Sequence, residues 1–418
     1  MEVQNPSRME HPPLTLEQWL QILSAFVVFL NTWGLLLAFG AFQTYYEQVL
    51  LPTESNSRLA WISTMCAFIL LFSGLVTGPL FDYGFLRPLL FIGSILEIFG
   101  LMMLSISTKY WQVFLSQGIC VGLGGGLLFI PSIAAAALSL QDFRRAKFIG
   151  LISSATGVGG VIYPIVFRRL VSTVGFPWAI RSIAFIVLAT FIFSWPILTY
   201  PVKKSPMIRG FVDVSAFRDL AFMSIVCGAV LSAVAYYLPI IYLPLFAETG
   251  IKGFHNTDLA FYLVSIANGT SIIGRLLSGL VATKIGPIET CGMAVAVSAV
   301  LLYGWFGLKS TAAVVVWAVL WGLISSVIVA MPGAIVPLLS PSPGVIGTRT
   351  GTLWAGVGIG MFIGSPIAGA LIKESSSGIH WWRMQLFAAL CMTLSSFFFI
   401  YPTIYVRRRA RAAKRSMG

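Results

Sequence analysis

The sequence predicts an all-α membrane protein with twelve transmembrane helices in two six-helix halves. Three observations predict this class: an apolar composition, twelve long apolar runs and an internal repeat. Of the 418 residues, 57% are hydrophobic and 10% are charged, whereas soluble domains carry about 25% charged residues. The mean hydropathy of +0.89 agrees with this assignment. The composition therefore excludes an ordinary soluble protein.

The apolar runs can be counted, because a helix needs about 20 mostly apolar residues to cross the bilayer core. A polar stretch at 201–219 separates six runs from six more. The twelve predicted spans begin near Gln21, Leu59, Pro88, Trp111, Phe148, Ala179, Leu220, Leu259, Pro287, Thr311, Ile346 and Gln385.

These runs divide the chain into five predicted segments. They are a disordered cytoplasmic N-terminus (1–19), an N-terminal six-helix half (20–200), a cytoplasmic linker (201–219), a C-terminal six-helix half (220–405) and a basic cytoplasmic tail (406–418). We expect the protein to function as a monomer in the lipid bilayer.

The basic residues set the predicted orientation, because cytoplasmic loops of membrane proteins are enriched in Lys and Arg. Of 27 basic residues, seventeen fall on the side of the linker and the tail, nine fall on the opposite side, and Arg275 lies within a span. Both termini are therefore expected in the cytoplasm. The net charge of +13 needs no nucleic acid to explain it, because anionic lipid of the inner leaflet is the expected partner of the tail. The plasma membrane is the expected location, with a vacuolar or other internal membrane as the alternative.

The two halves are related by a sequence repeat with an offset of about 200 residues. GPLFDYG after the second span corresponds to GLVATKIG after the eighth, and prolines recur at matching places in later spans. The matched pairs are Gly78 with Gly279, Pro131 with Pro332, and Pro164 with Pro366. A regular offset of this kind indicates an internal duplication. Two six-helix halves of this type form the major facilitator fold, in which the substrate binds at mid-membrane between the halves.

The cysteines and glycine clusters give no indication of a cofactor. Each of the five cysteines lies in an apolar run without a CxxC pair, so neither disulfides nor a zinc site are expected. Glycine runs such as Gly122–Gly126 complete neither GxGxxG nor GxxxxGK(S/T), which argues against nucleotide binding. The spans carry neither a nucleophile with a base nor a His, Glu and Asp cluster. We therefore predict no catalytic residue, no metal, no cofactor and no enzymatic activity.

Several motifs resemble the fungal branch of the monocarboxylate-porter family within the major facilitator superfamily. They include NTWGLLLAFGAFQTYYE, KYWQVFLSQGICVGLGGG, FYLVSIANGTSIIGRLLSG and IGTRTGTLWAGVGIGMFIGSPIAGALI, and the match runs from about Leu16 to Tyr405. The resemblance implies a secondary-active transporter of a small organic solute that works by alternating access. A carboxylate or carboxylate-bearing metabolite, including the exported product of a biosynthetic cluster, is the expected substrate. The alternatives are an uptake carrier for a neutral or riboflavin-like solute and a non-transporting sensor of the same fold.

The sequence departs from the proton-coupled members of that family at two positions. Those members carry a lysine where this chain has Ala41, and an aspartate where it has Ser271, whereas the arginine of the eighth span is kept as Arg275. Proton symport through that lysine and that aspartate is therefore not expected here.

The predicted substrate site centres on a polar stripe in the eighth span. Positions three or four apart share a helix face, and this spacing joins Ser265, Asn268, Ser271, Arg275 and Ser278. A buried arginine in a membrane normally faces the bundle interior or a watery cavity, so Arg275 is a candidate for binding an anion. The alternative is that its long side chain snorkels to the nearby membrane surface. Asn268 is either a cavity amide or an interhelical hydrogen bonder.

Four residues of other spans complete the predicted substrate site. Asn31 and Tyr45 share a face of the first span, Gln117 lies in the fourth span and Trp354 in the eleventh. For each of them ordinary helix packing is the alternative role, because a few polar residues per span commonly join helices.

Two further predictions concern gating and proton coupling. Gly78, Asp82 and Gly84 follow the second span, where an acid can cap a helix end and latch the inner gate. Glu97 is an acid in mid-span and hence a candidate for proton coupling. Its alternative role is that of a neutral structural acid in a peripheral helix.

Overall fold

The structure is a computed structural model that describes residues 14–140, 142–198, 213–251, 254, 257–375 and 378–415. Within these ranges the chain is almost wholly helical, and eleven helical stretches are long and apolar enough to cross a membrane. One of them, Arg144–Ile197, contains two spans. The predicted class of a twelve-span all-α membrane protein is confirmed.

The first six spans are numbered in chain order. Their described helices are Leu16–Phe29, Leu30–Gly34, Leu35–Tyr45 and Tyr46–Leu50 for span 1; Asn56–Phe72 and Gly74–Asp82 for span 2; Leu86–Leu104 for span 3; Tyr110–Val113, Phe114–Val121 and Gly122–Ser139 for span 4; and Asp142–Leu198 for spans 5 and 6. Three of these pieces, Leu30–Gly34, Tyr46–Leu50 and Phe114–Val121, are π-helical.

The last six spans follow a short helix, Val214–Arg218, at the end of the linker. They are Leu220–Gly250 for span 7; Thr257–Ile285 for span 8; Pro287–Gly304 with the 3₁₀ turn Trp305–Gly307 for span 9; Thr311–Ala330 and Pro332–Leu339 for span 10; Ile346–Leu371, after the 3₁₀ turn Pro343–Val345, for span 11; and Trp382–Phe398 with Ile400–Arg415 for span 12.

Three segments differ from the sequence expectation. The first helix begins at Leu16 and so includes residues assigned to the N-terminal tail, because Thr15 and Gln18 form a capping box there. The basic tail continues as helix as far as Arg415. Spans 11 and 12 are joined by a small antiparallel hairpin, Lys373–Ser375 with Gly378–His380, in an otherwise helical fold. Residues 1–13, 201–212 and 416–418 of the predicted terminal and linker segments lie outside the described ranges.

Three glycines with positive φ mark the sharpest turns in the described chain. Gly84 and Gly286 follow spans 2 and 8 with φ of 89° and 101°. Their separation of 202 residues matches the repeat offset, so both copies of the repeat use glycine for the same left-handed turn. Gly175, with φ of 78°, breaks the long helix into spans 5 and 6.

The two halves meet along two pairs of spans, span 2 with span 11 and span 5 with span 8. A side chain at Gly351 would overlap the carbonyl oxygen of Gly74, and one at Gly78 would overlap that of Gly347. In the other pair, a Cβ atom at Gly150 would lie 2.6 Å from the carbonyl oxygen of Arg275. We call the end of the bundle that carries Asp82, Gly347 and the start of span 7 the linker face. These glycine contacts close the seam between the halves near that face.

We expect Gly351→Ala to push spans 2 and 11 apart, because overpacking a tight contact costs about 1–3 kcal/mol. The melting temperature in detergent should fall below that of the wild type. Gly40→Ala is the matched control, since nothing lies within 4 Å of a side chain added there. Equal melting temperatures for the two variants would show that the seam can widen without cost.

Candidate functional site

Arg275 lies within span 8, nearer its linker-face end, and is 1% exposed. It is ten residues from the end of its helix at Ile285, or about 15 Å at 1.5 Å per residue. Its Nη1 donates to the Ser271 hydroxyl at 2.7 Å, and that hydroxyl donates to the carbonyl oxygen of Asn268 at 2.6 Å. Both partners lie farther from the linker face than Arg275 does. The side chain therefore extends toward the middle of the span and away from the nearer end of its helix.

The guanidinium group is not fully satisfied in its buried position. Its Nε has no hydrogen-bond partner in the described part of the chain. The described residues also provide no carboxylate partner for it. Tyr236 and Tyr237 of span 7 are the polar groups within electrostatic range. A cation in such a place lacks a counter-charge, which an anionic ligand would supply.

The polar stripe lies against span 5 of the first half. A Cβ atom at Gly157 would come within 2.8 Å of the Ser271 hydroxyl, and one at Gly160 within 3.2 Å of Asn268 Nδ2. Ser278 donates to the carbonyl oxygen of Arg275 at 2.8 Å, while Ser265 is half-buried. The predicted stripe thus lies at the seam between the halves, where a ligand held at mid-membrane would have access to both.

The predicted polar residues of spans 1 and 4 form connections within the first half. Asn31 donates to Thr190 at 2.8 Å and accepts from Tyr163 at 2.7 Å, which joins spans 1, 5 and 6. Gln117 accepts from Tyr46 at 2.6 Å. The structure does not show these amides in contact with Arg275. Their observed contacts are those of interhelical junctions.

Tyr45 stacks on Phe176, with ring centroids 5.1 Å apart and an interplanar angle of 4°.

Glu97 in span 3 is fully buried, and neither of its carboxyl oxygens has a hydrogen-bond partner among the described residues. Its backbone packs against Gly124 of span 4. A charged carboxylate without a partner is so costly in this environment that the neutral form is favoured.

Trp354 belongs to an aromatic cluster that crosses the seam between the halves. Its ring centroid lies 6.0 Å from that of Trp33 in span 1 and 5.1 Å from that of Phe129 in span 4. Trp33 and Phe129 are 5.6 Å apart. Sequence reasoning selected Trp354 and missed the other two, because a single sequence does not show which spans bring their rings together.

The linker face is held by Asp82 at the end of span 2. Its carboxylate accepts from the backbone N–H of Gly347 at 2.9 Å, and from the backbone N–H and hydroxyl of Thr348 at 2.7 Å each. These donors belong to the first turn of span 11, where the helix dipole also favours an anion. Gly78 closes the same contact from span 2, and Gly84 makes the turn that follows it. We call this set of contacts to Asp82 the latch.

Arg349 forms a second cluster at the start of span 11, beside the latch. It is 2% exposed and donates to Asp213 at 3.0 Å, to Asp219 at 2.9 Å and to the carbonyl oxygen of Leu339 at 2.6 Å. Its guanidinium also lies 4.9 Å from the ring centroid of Phe222. This cluster ties the end of the linker and the start of span 7 to spans 10 and 11.

Asp213 remains charged in this cluster at physiological pH. Partial burial raises its pKa, but hydrogen bonds from Ser215 and Arg349 outweigh that effect and hold the pKa below its usual range. The contribution of a carboxylate with a lowered pKa is lost only when the pH falls through that pKa. The ion pair with Arg349 is thus insensitive to pH between 5 and 8. The sequence pattern alone does not indicate these partners of Arg349.

A small cavity of about 90 Å³ lies near the linker face and is lined by residues such as Arg145 and Thr283. Ligand pockets usually measure about 300–1,000 Å³. It is lined neither by Arg275 nor by the aromatic cluster. We therefore place the candidate site at Arg275 and not in this cavity.

The fold and the site together define a membrane transporter with two halves and a charge buried between them. The chain belongs to the Major Facilitator Superfamily, whose profile matches residues 22–337. It is therefore a multi-pass transporter and not an enzyme.

The chain is similar to several fungal transporters. It is 35% identical to the MFS-type transporter dbaD of Emericella nidulans over 385 residues, which cover 91% of this chain and 85% of that protein. It is 34% identical to the aspyridones efflux protein apdF of the same organism, covering 91% and 79%. It is also 30% identical to the fujikurins efflux protein of Gibberella fujikuroi, covering 94% and 83%.

Solved structures support the fold. The E. coli fucose:proton symporter FucP matches with a TM-score of 0.67 at 14% identity, covering 92% of this chain and 98% of that one. A bacterial homologue of the iron transporter ferroportin, solved in an outward-facing state, matches with a TM-score of 0.70 at 15% identity, covering 93% and 100%.

We expect Asp82→Asn to weaken the latch, because the neutral amide loses the charge-assisted bonds to span 11. Bonds to charged groups contribute about 1.5–3 kcal/mol, so states open at the linker face should gain population. Turnover should fall while substrate affinity stays nearly unchanged, and a cysteine placed at Ala282 should be alkylated faster. The measurements are transport kinetics and thiol labelling in a background without the five native cysteines.

Glu54→Gln is the control for this prediction, because Glu54 forms an exposed pair with Arg58. Such pairs contribute about 0–1 kcal/mol. A large loss of affinity with normal turnover in Asp82→Asn would assign Asp82 to the substrate site instead.

Proposed function

We propose that the protein is a secondary-active exporter of a small organic acid, produced by a biosynthetic cluster, in the monocarboxylate-porter branch of its superfamily. The observation that carries this proposal is the buried Arg275, whose Nε has no acceptor among the residues that the structure describes. Relatives named as efflux proteins support the direction of transport.

Arg275 supplies the chemistry for binding an acid. A guanidinium offers a planar set of donors that matches a carboxylate, and charge-assisted hydrogen bonds are shorter and stronger than neutral ones. Ser271 fixes one end of the group through its bond to Nη1, which leaves Nε available as a donor. Arg275 is buried, so an arriving anion meets little competition from water.

In this proposal, the contacts at the linker face break and re-form during the transport cycle. The linker face is the cytoplasmic face, as the distribution of basic residues predicts. Opening of the latch separates spans 2 and 11 there and admits the acid to Arg275. Closure restores the glycine contacts and commits the substrate to the opposite side. Of the further predicted residues, we assign Asn268 and Trp354 to the substrate path because they lie at the seam, whereas the observed contacts of Asn31, Tyr45 and Gln117 favour their alternative role in helix packing.

We expect Arg275→Gln to reduce affinity for an anionic substrate by about ten- to a hundredfold, the equivalent of about 1.5–3 kcal/mol for a charge-assisted bond. Arg275→Lys should also weaken binding, because it keeps the charge and loses the planar donor set. The measurement is uptake and efflux of carboxylates and neutral metabolites in reconstituted vesicles.

A C-terminal tag should be protected in right-side-out vesicles, and its exposure there would overturn the proposed orientation.

Arg58→Gln is the matched control, since its side chain is 58% exposed and lies far from Arg275 in the chain. Misfolding of both Arg275 variants would show that Arg275 is structural. Unimpaired transport of a neutral solute by Arg275→Gln would place the protein with the uptake carriers for neutral or vitamin-like solutes. Tight solute binding without any transport would favour a sensor.

We propose Glu97 as the proton-coupling residue if transport depends on a pH gradient. It is a buried acid in mid-span without a partner in the described chain, whereas Ser271 cannot take up a proton in place of an aspartate. Glu97→Gln should abolish stimulation by a pH gradient and leave gradient-free exchange intact. The test compares both modes in the same vesicles, with Ser271→Asp as a second variant. Unchanged coupling in Glu97→Gln would remove Glu97 from the mechanism.

A further inference from the structure

The aromatic cluster of Trp33, Phe129 and Trp354 is the place where buried rings of the two halves meet. Trp33 and Phe129 belong to the first half and Trp354 to the second. All three are buried, with exposures of 1%, 0% and 2%. The pairs are tilted or edge-to-face, with interplanar angles of 54°, 73° and 75°. These are favourable aromatic geometries, so the cluster is well packed when the halves are together.

The cluster lies at the depth expected for a substrate. Phe129 is ten residues from the end of its helix at Ser139, and Trp354 is eight residues from the start of span 11 at Ile346. At 1.5 Å per residue these positions are about 12–15 Å from the linker face. The hydrocarbon core is about 30 Å thick, so the rings lie near its middle, at about the same depth as Arg275.

Two features of the cluster are not explained by packing. Six tryptophan indole N–H groups have no acceptor in the described chain, although a buried indole usually has one, and Trp33 and Trp354 are the two of these that belong to the cluster. Trp33 also lies in the π-helical segment Leu30–Gly34, and π-helical turns occur frequently at functional sites. Both donors thus lie where the halves must part during transport.

We propose that this cluster binds the ring system of the substrate, which is a planar aromatic or conjugated acid. When the halves separate, a flat ring inserts between Trp354 and the pair of Trp33 and Phe129. The two indole N–H groups then donate to oxygen atoms on its edge. This inference rests on the proposed function, because Arg275 binds the acidic group of the same molecule.

The distances between these rings also show what must move before a substrate ring can bind. Centroid distances of 5.1–6.0 Å leave no room for a third ring between the halves. A stacked ring needs about 3.5 Å on each side, so insertion requires the halves to separate by several ångströms. Alternating access provides such a separation. The rings then contact one another in the empty transporter and the substrate in the loaded one.

The test compares two acids of equal charge and carbon count in reconstituted vesicles. They are 2-naphthoate, which is planar, and decahydro-2-naphthoate, its saturated counterpart. We expect the wild type to prefer 2-naphthoate by about three- to tenfold, the range of an added aromatic contact. Trp354→Leu should abolish this preference, whereas Trp354→Phe, which keeps a ring, should retain most of it. Trp382→Leu is the control, because Trp382 is 51% exposed and lies outside the cluster.

The two proposals fail in different ways. If Arg275→Gln impairs transport of both acids while Trp354→Leu leaves the preference unchanged, the proposed function stands and the ring site is overturned. If the wild type transports neither acid, the ring site is overturned, whereas the proposed function is decided separately by the panel of carboxylates and the Arg275 variants. The readout is a ratio of two rates, so a partial loss of folded protein does not alter it. Should Trp354→Leu not fold, Phe129→Leu tests the same site from the first half.

Discussion

The close approach of backbones at glycine is the constraint on which the rest of this structure depends. Gly74 meets Gly351 and Gly78 meets Gly347, so spans 2 and 11 touch without intervening side chains. Lipid provides no hydrophobic force between helices, so such contacts rely on dispersion and on small residues that allow them. The contacting backbone groups make their hydrogen bonds within their own helices. The halves can therefore separate without leaving backbone groups unpaired. The seam can therefore be tight and still be reversible.

In the proposed transport cycle, the charged groups at the linker face determine when the seam closes. Asp82 joins span 2 to the first turn of span 11 across the halves, whereas Arg349 joins the same turn to Asp213 and Asp219 within the second half. The start of span 11 is thus held rigidly on its own side, which gives Asp82 a fixed set of donors. A latch of a few hydrogen bonds suits this role, since a switch needs states that differ by only a few kcal/mol. The same donors on a mobile turn would lose entropy each time the latch closed.

Sequence patterns predicted the parts of this protein that are repeated along the chain. Hydropathy placed the twelve spans, and the repeat offset of about 200 residues agrees with the positive φ of Gly84 and Gly286 after spans 2 and 8. The polar stripe of span 8 was predicted because helical spacing alone decides which residues share a face.

Pairings between distant spans could not be predicted in this way. Asn31 bonds to Tyr163 and Thr190, and Arg349 bonds to Asp213, because of how whole helices are placed, which a single sequence does not encode locally. The role of Trp33 was not predicted for the same reason, because its partner Trp354 is 321 positions away in the chain.

An arginine without a counter-charge in the middle of a membrane protein would be unfavourable if it had only one environment. Removing a charge from water costs several kcal/mol even in real proteins, and one hydrogen bond to Ser271 returns only part of that. In a transporter, however, the environment of Arg275 changes with the state of the seam, because spans 5 and 8 that enclose it belong to different halves. When the seam opens, water can reach the guanidinium, and under the proposed function a bound acid neutralises it. Under the proposed function, the closed state therefore carries an unmet demand for an anion, which slows the step without substrate relative to the loaded step and couples the cycle to the substrate.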